Sequence, residues 1–337
     1  CHSSGEGCSL LSDFILYIRA FESDNPDPVT RNTKDILRSC CQQIRWEALD
    51  LKPIKELIAL AIDEDTLCSG LINKPKVTGD LSSCLVPEDH EITATFHARQ
   101  PLTLCGIELA QLTAAFSPQL SLTALADDGA NLAAGDPIAT LSGSTRSALT
   151  AERTLLNFLQ HLSGIATNTR TYVDALGGSR TRILDTRKTT PGYRYLEKYA
   201  VACGGGWNHR MGLFDRVMLK DNHLAAFGDD LMGSTAKAVA QSRRTNPRVL
   251  VEMEVDRLEQ IFAALKAGVD IILLDNFSVS DLRKAKELIG DQTVTEISGN
   301  VTLDTLQDLT PLGFDFISTG ALVHKSVWVD IGLDWNE

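Results

Sequence analysis

The stretch Val249-Leu-Val-Glu-Met-Glu254, followed after one helical span by Ile271-Ile-Leu-Leu-Asp275, decides the fold. Two short apolar runs, each closing on a carboxylate, flank residues 256–267, which read as a helix. Two runs joined in this way form a strand–helix–strand unit, and that connection sets the strands parallel. The rhythm extends in both directions. Arg182-Ile-Leu-Asp185 and Val217-Met-Leu-Lys220 precede the unit, and Val294-Thr-Glu-Ile297 and Phe314-Asp-Phe-Ile-Ser318 follow it, with a second helix-like span at 279–289. The intervals from Glu254 to Asp275, Asp275 to Ser298 and Ser298 to Thr319 are 21, 23 and 21 residues, close to the shortest that a strand and a helix can fill. From residue 181 onward the chain therefore reads as a parallel sheet, either a barrel or doubly wound. No G-x-G-x-x-G follows a strand, so dinucleotide binding has little support.

Upstream the pattern changes. Apolar residues from Leu149 to Leu176 recur as on a long helix over 147–176, stopped by Gly177-Gly178. Within 75–145, segments such as Glu91-Ile-Thr-Ala-Thr-Phe-His97 alternate apolar and polar residues, which predicts an antiparallel sheet with a helix around Ile107–Phe116. Residues 34–63 predict two or three helices, 22–33 a turn-rich linker and 9–21 a short helix.

The 337 residues suffice for two domains, or for a barrel with an added one, and 43% apolar with 23% charged residues is ordinary for a globular protein. A net charge of −12 argues against nucleic acid as partner, because phosphate binding needs a basic face. No apolar run reaches membrane-spanning length. Seven of the eight cysteines precede residue 106 and none has C-x-x-C spacing, so free thiols in a reducing cytoplasm are expected rather than zinc or a disulfide framework.

In parallel α/β barrels the chemistry sits at the C-terminal ends of the strands. Those ends carry Asp185, Lys220, Glu254, Asp275, Ser298 and Thr319. The cations Arg187, Lys188, Arg194, Lys198, His209, Arg210 and Lys220 follow strands or lie between them. Converging on one mouth they would hold a multiply charged anion; the plain alternative is solvated surface charge. Glu254 and Asp275 could bind Mg²⁺ or hydroxyls, or pair with Lys188 or Lys220, and Glu252 lies deeper on the same strand face as Glu254. The small residues of Ser298-Gly299-Asn300 and Ser318-Thr319-Gly320-Ala321 let backbone N–H groups approach a phosphate. A barrel lyase using Lys220 as a Schiff-base amine fits the same pattern.

Four segments appear in order: Glu152-Arg-Thr-Leu-Leu-Asn-Phe-Leu-Gln160, Asp185-Thr-Arg-Lys-Thr-Thr-Pro-Gly192, Gly204-Gly-Gly-Trp-Asn-His-Arg-Met-Gly-Leu213 and Leu219-Lys-Asp-Asn-His223. With Val251–Val255, Leu273–Asn276, Glu296–Asn300 and Ile317–Ala321 they resemble the quinolinate phosphoribosyltransferases over roughly residues 45–337. Met253 and Thr319 stand where the family commonly has a smaller aliphatic and a valine, without loss of a functional group. The resemblance implies an N-terminal α/β sandwich with an antiparallel sheet, here 45–150 with 323–337 packing back on it, and an incomplete, open α/β barrel over 151–322. Residues 1–44 are then a variable helical extension. It further implies a homodimer with shared active sites, and transfer of phosphoribosyl from phosphoribosyl pyrophosphate to quinolinate with decarboxylation. By similarity, Arg153 reaches quinolinate from the neighbouring subunit, while Thr186, Arg187, Lys188, His209, Arg210 and Lys220 line its pocket. Glu254 and Asp275 take the ribose hydroxyls and Mg²⁺, and Ser298, Gly299, Asn300, Thr319, Gly320 and Ala321 cradle the 5-phosphate. Lys188, Lys220, Glu254 and Asp275 are the expected catalytic residues.

Overall fold

The computed structural model describes residues 32–228 and 230–335; the short helix read at 9–21 lies outside them. The first half is built on β1 (Glu91–Ala98), β2 (Leu102–Thr103), β3 (Leu120–Ala124), β4 (Asn131–Leu132) and β5 (Pro137–Ser144). The alternation in β1 buries Ile92, Ala94, Phe96 and Ala98 against Leu155, Leu156 and Leu159 of the long helix Thr145–Ala175. Ser144 caps that helix, and Gly177 and Gly178 beyond its end both adopt positive φ, as the sequence pattern required.

The second half supplies β6 (Arg182–Leu184), β7 (Val217–Leu219), β8 (Val251–Val255), β9 (Ile271–Asp275), β10 (Val294–Ser298) and β11 (Phe316–Ser318), all parallel. The order β6-β11-β10-β9-β8-β7 joins the first of these strands to the last and leaves the ring open between β6 and β7. The open barrel expected from the resemblance is thus observed. β12 (Ile331–Trp335) returns to the first sheet, antiparallel to β1, giving the order β12-β1-β5-β3. β8 and β11 start two residues later than the apolar runs suggest. At β11 the cause is local: Gly313 turns with φ 69, and Asp315 accepts from the backbone N and Oγ1 of Thr295 instead of extending the strand.

Two features complete the ring. Ile36 and Cys40, on the helix Thr33–Cys40, pack against Leu250, Ile271, Val294 and Phe316 near the strand starts, and with Leu184 of β6 these form an apolar floor. At the gap, Trp207 bridges to β6: its N donates to Ile183 O at 2.9 Å and its O accepts from Asp185 N at 3.0 Å. Asn208 N in turn donates to Gln42 O at 2.8 Å, and Asn208 Oδ1 accepts from Ile44 N at 2.8 Å.

Asp185 and Lys198 fasten this plug, and here the sequence expectation changes. Both are wholly buried, so neither belongs to the rim where the strand-end and cation patterns placed them. Lys198 Nζ pairs with Asp185 and donates to His209 O at 3.1 Å. The second Asp185 oxygen accepts from Asn208 Nδ2 at 2.8 Å, and His209 N donates to the first at 2.8 Å. Burial pushes the Asp185 carboxyl up and the Lys198 amine down, and each charge offsets the cost of the other. Lys198→Met strands the aspartate and is expected to cost about 3–5 kcal/mol of stability, read from urea unfolding. A loss below about 1 kcal/mol would show that the pair is not what holds the plug.

Candidate active site

Because alternate residues of a strand face the same side, the barrel interior is layered. Above the apolar floor stand Glu252 on β8 and Glu296 on β10, both wholly buried. His209 Nε2 lies 3.5 Å from Glu252 and 3.3 Å from Glu296, and Arg216 Nη1 lies 3.2 Å from Glu252. Two cations and two carboxylates thus neutralise one another. Burial opposes the charge on His209, but Glu296 and Glu252 outweigh it and raise its pKa to about 9. Burial likewise opposes the Glu252 charge, and His209 with Arg216 overcomes it, holding that carboxyl at about 2. Arg216 and Glu296 were not singled out from the sequence. The available signal was a Glu two residues before Glu254 and another two before Ser298, each in an otherwise apolar strand.

The next layer up is the rim, where the other candidate residues lie, Arg153 excepted. Thr186 Oγ1 accepts from Lys188 N at 3.0 Å and turns the chain after β6. Arg187 is half-buried, and its Nε is buried with no protein partner, a donor that an incoming anion would satisfy. Arg210 is half-buried as well; burial and the neighbouring Arg187 charge push its guanidinium below the usual value. Arg210 Nη1 rests on Arg216 O at 3.4 Å, so the rim is seated on the buried layer. Lys188 is exposed and its stem passes over Gly320, where a Cβ would come within 2.7 Å of Lys188 Cδ. Lys220 pairs with Glu254, both partly exposed.

Asp275 is in register with Ser298, and Glu254 with Leu273, so the two carboxylates end adjacent strands. After β10, Asn276 N donates to Ser298 O at 3.0 Å and Asn300 Nδ2 donates to Asn276 Oδ1 at 3.0 Å. This turn needs left-handed backbone at Gly299 (φ 90) and Asn300 (φ 50), and a Cβ on Gly299 would lie 2.3 Å from Asn276 Oδ1. Thr319 is buried, with Oγ1 donating to Val301 O at 3.1 Å and accepting from Ala321 N at 3.2 Å. Ala321 opens the one-turn helix Ala321–His324. Beside Lys188 a cavity of about 470 Å³ is lined by His161, Thr190, Glu197 and His324. The structure therefore gathers cations, carboxylates and small residues at one mouth, with Lys220 paired to Glu254 and Lys188 lying over Gly320. Arg153 stands apart from them: it is exposed on the long helix and makes no hydrogen bond or ion pair among the described residues.

Known proteins resemble this chain in sequence and fold. Residues 165–334 match the family described as "Quinolinate phosphoribosyl transferase, C-terminal domain", and residues 78–163 match its N-terminal domain. The chain is 40% identical over 255 residues to a nicotinate-nucleotide pyrophosphorylase [carboxylating] of Mycobacterium leprae, covering 74% of this chain and 88% of that one. It is 38% identical to a chloroplastic protein of the same name from Arabidopsis thaliana, with 95% of each covered. The solved nicotinate-nucleotide pyrophosphorylase of Francisella tularensis superposes with a TM-score of 0.80 at 34% identity, covering 88% of this chain and 100% of that chain.

The raised His209 pKa gives a pH signature. Between the ordinary histidine value of 6.5 and about 9, the folded protein holds a proton that the unfolded chain releases. This stabilisation, on the order of 3 kcal/mol, is full below the unfolded pKa and fades as pH rises through the folded one. Urea midpoints are expected to fall between pH 6.5 and 9.5 in the parent and to fall less in His209→Gln. Equal slopes would mean that the ring is neutral in the folded state.

Proposed function

The chain belongs to the quinolinate phosphoribosyltransferase family, and we propose that it transfers phosphoribosyl from phosphoribosyl pyrophosphate to quinolinate. The products are nicotinate mononucleotide, CO₂ and pyrophosphate, a step of NAD biosynthesis. The observation that carries the reading is the rim itself: Arg187 with an unpaired donor beside Arg210, and Lys188 and Lys220 at the same mouth as Glu254, Asp275 and the turn at 298–300.

Quinolinate carries two carboxylates. Arg187 and Arg210 offer planar forks suited to them, and Lys188 and Lys220 add compact charge. His209 contributes its charge from beneath the pocket, held by Glu252 and Glu296. Thr186 sets the turn that aims Arg187 and Lys188. Glu254 and Asp275 face the ribose hydroxyls. Gly299, Asn300 and Gly320 offer backbone N–H groups to the 5-phosphate, and Ser298, Thr319 and Ala321 keep the bulk around it small; Thr319 N and Ala321 N are spent within the protein, on Leu184 O and Thr319 Oγ1. The donor set of Glu254 and Asp275 is all oxygen, which fits Mg²⁺; when bound, that ion supplies neutralisation of the pyrophosphate charge. The chain's own residues hold the quinolinate nitrogen opposite the leaving group at C1. The N–C1 bond forms as the C1–O bond to pyrophosphate breaks; the C2–carboxylate bond of the resulting pyridinium then breaks to release CO₂, the adjacent positive nitrogen stabilises the electron pair left on C2, and C2 takes a proton from water. Positioning and electrostatics therefore supply the rate. A Schiff-base role for Lys220 finds no support, because the amine is 44% exposed and paired with a carboxylate.

Arg153 gains a purpose in a homodimer, where its exposed guanidinium reaches the neighbouring subunit's quinolinate. The described residues include no helix long and apolar enough to cross a membrane. The cytoplasm is the proposed compartment, supported by the six described cysteines, all free thiols.

Incubation with phosphoribosyl pyrophosphate and carboxyl-labelled quinolinate is expected to release labelled CO₂, with nicotinate a poor substitute; preference for nicotinate would overturn the assignment. Arg187→Ala is expected to lose about 1.5–3 kcal/mol in kcat/KM, as for a charged hydrogen bond removed. If Arg153 serves the partner's site, mixing inactive Arg153→Ala and Lys220→Ala subunits restores part of the activity, whereas sites confined to one chain stay inactive.

A further inference from the structure

A second cluster of reactive groups lies away from the barrel mouth, where the first half of the chain meets the end of the helix Arg194–Cys203. The thiols of Cys105 and Cys203 and a carboxylate oxygen of Asp128 lie within 4.8 Å of one another. Cys105 is wholly buried, and the other two are half-buried. Asp128 is tightly oriented: it accepts from Gly106 N at 2.9 Å, Ile107 N at 3.0 Å and Tyr199 Oη at 2.9 Å. Glu108 stands alongside with Oε2 buried; burial and the neighbouring Asp128 carboxylate raise its carboxyl to about 7, and no lysine or arginine pairs with either acid among the described residues. Two thiols and two acids thus share a confined space that no lysine or arginine enters among the described residues; burial keeps the Cys105 thiol protonated in the metal-free protein.

We infer that this cluster binds a divalent cation of the zinc class, with Cys105, Cys203 and Asp128 as ligands and water or Glu108, which adjoins Asp128, in the fourth position. Thiolate sulfur selects zinc or cobalt over magnesium, so the site differs in kind from the all-oxygen rim. Metal–sulfur and metal–oxygen bonds of about 2.3 and 2.0 Å require only a modest contraction of the present spacing. The hydrogen bonds to Asp128 already hold that ligand's orientation, as outer-shell partners do in metal sites. On binding, each thiol gives its proton to water and the sulfur lone pair to the metal; no electron is transferred. The ion would tie Cys105, beside the first sheet, to Cys203, the last residue before the Gly204–Gly206 turn. That turn sits flush on the long helix, since a Cβ on Gly204 would lie 2.4 Å from Ala166 O, and it leads directly into the gap-filling Trp207–Arg210. The role is therefore structural: it anchors the segment that carries the plug and Arg210.

The test is cobalt titration of the reduced, chelator-treated full chain. The expected result is a near-ultraviolet thiolate-to-cobalt absorption that saturates at stoichiometric metal, is displaced by zinc, survives excess magnesium and accompanies a higher Tm. Cys203→Ser is expected to abolish it, and Cys84→Ser, an exposed thiol elsewhere, to leave it intact. In the unmutated chain, zinc is expected to protect Cys203 but not Cys84 from iodoacetamide, which keeps the test decisive should Cys203→Ser fail to fold. Absence of the absorption in the unmutated chain, its persistence in Cys203→Ser, or equal alkylation with and without zinc would overturn the proposal.

Discussion

Four ionisable side chains inside the barrel, His209, Arg216, Glu252 and Glu296, have at most 6% of their surface exposed. Charges removed from water are tolerable only when paired, and much of the site follows from that constraint. The two carboxylates sit on β8 and β10, within rigid strands. The two cations come from the segment between β6 and β7, which no strand occupies. Neutralising Glu252 and Glu296 therefore requires that segment to enter the ring, which it does by bridging to β6 through Trp207.

That arrangement explains why the barrel stops at six strands without losing its interior. The open edge is closed by residues 207–209, fastened from outside the ring by Lys198 and Asp185 and from within by the His209 pairings. Arg210 is the next residue and emerges at the rim, resting on Arg216 O. The position of an anion-binding side chain is thus set by buried ion pairs below it, which hold it more narrowly than a surface loop would.

Much of the fold was legible in the sequence, because strand and helix periods are local properties. The alternation in Glu91–His97, the stop at Gly177-Gly178 and the carboxylates closing the runs at Glu254 and Asp275 each mark an element or its end. Asp185 and Lys198 misled for a physical reason: a charged residue after a strand reads the same whether it faces solvent or a partner brought in from elsewhere. Glu296 was passed over for the converse reason. Its importance lies in His209, 87 residues earlier in the chain, and no periodicity relates the two.

By itself the sequence determined the parallel strand–helix rhythm, the helix and sheet of the first half, the family, and the identity of the rim residues Arg187, Lys188, Arg210, Lys220, Glu254 and Asp275. The tertiary structure decided which strands pair, where the ring stays open, which charges are buried as pairs and which remain at the mouth. Local patterns depend on neighbours within a few residues. Burial and charge pairing depend on groups that only the closed chain brings within a few ångströms.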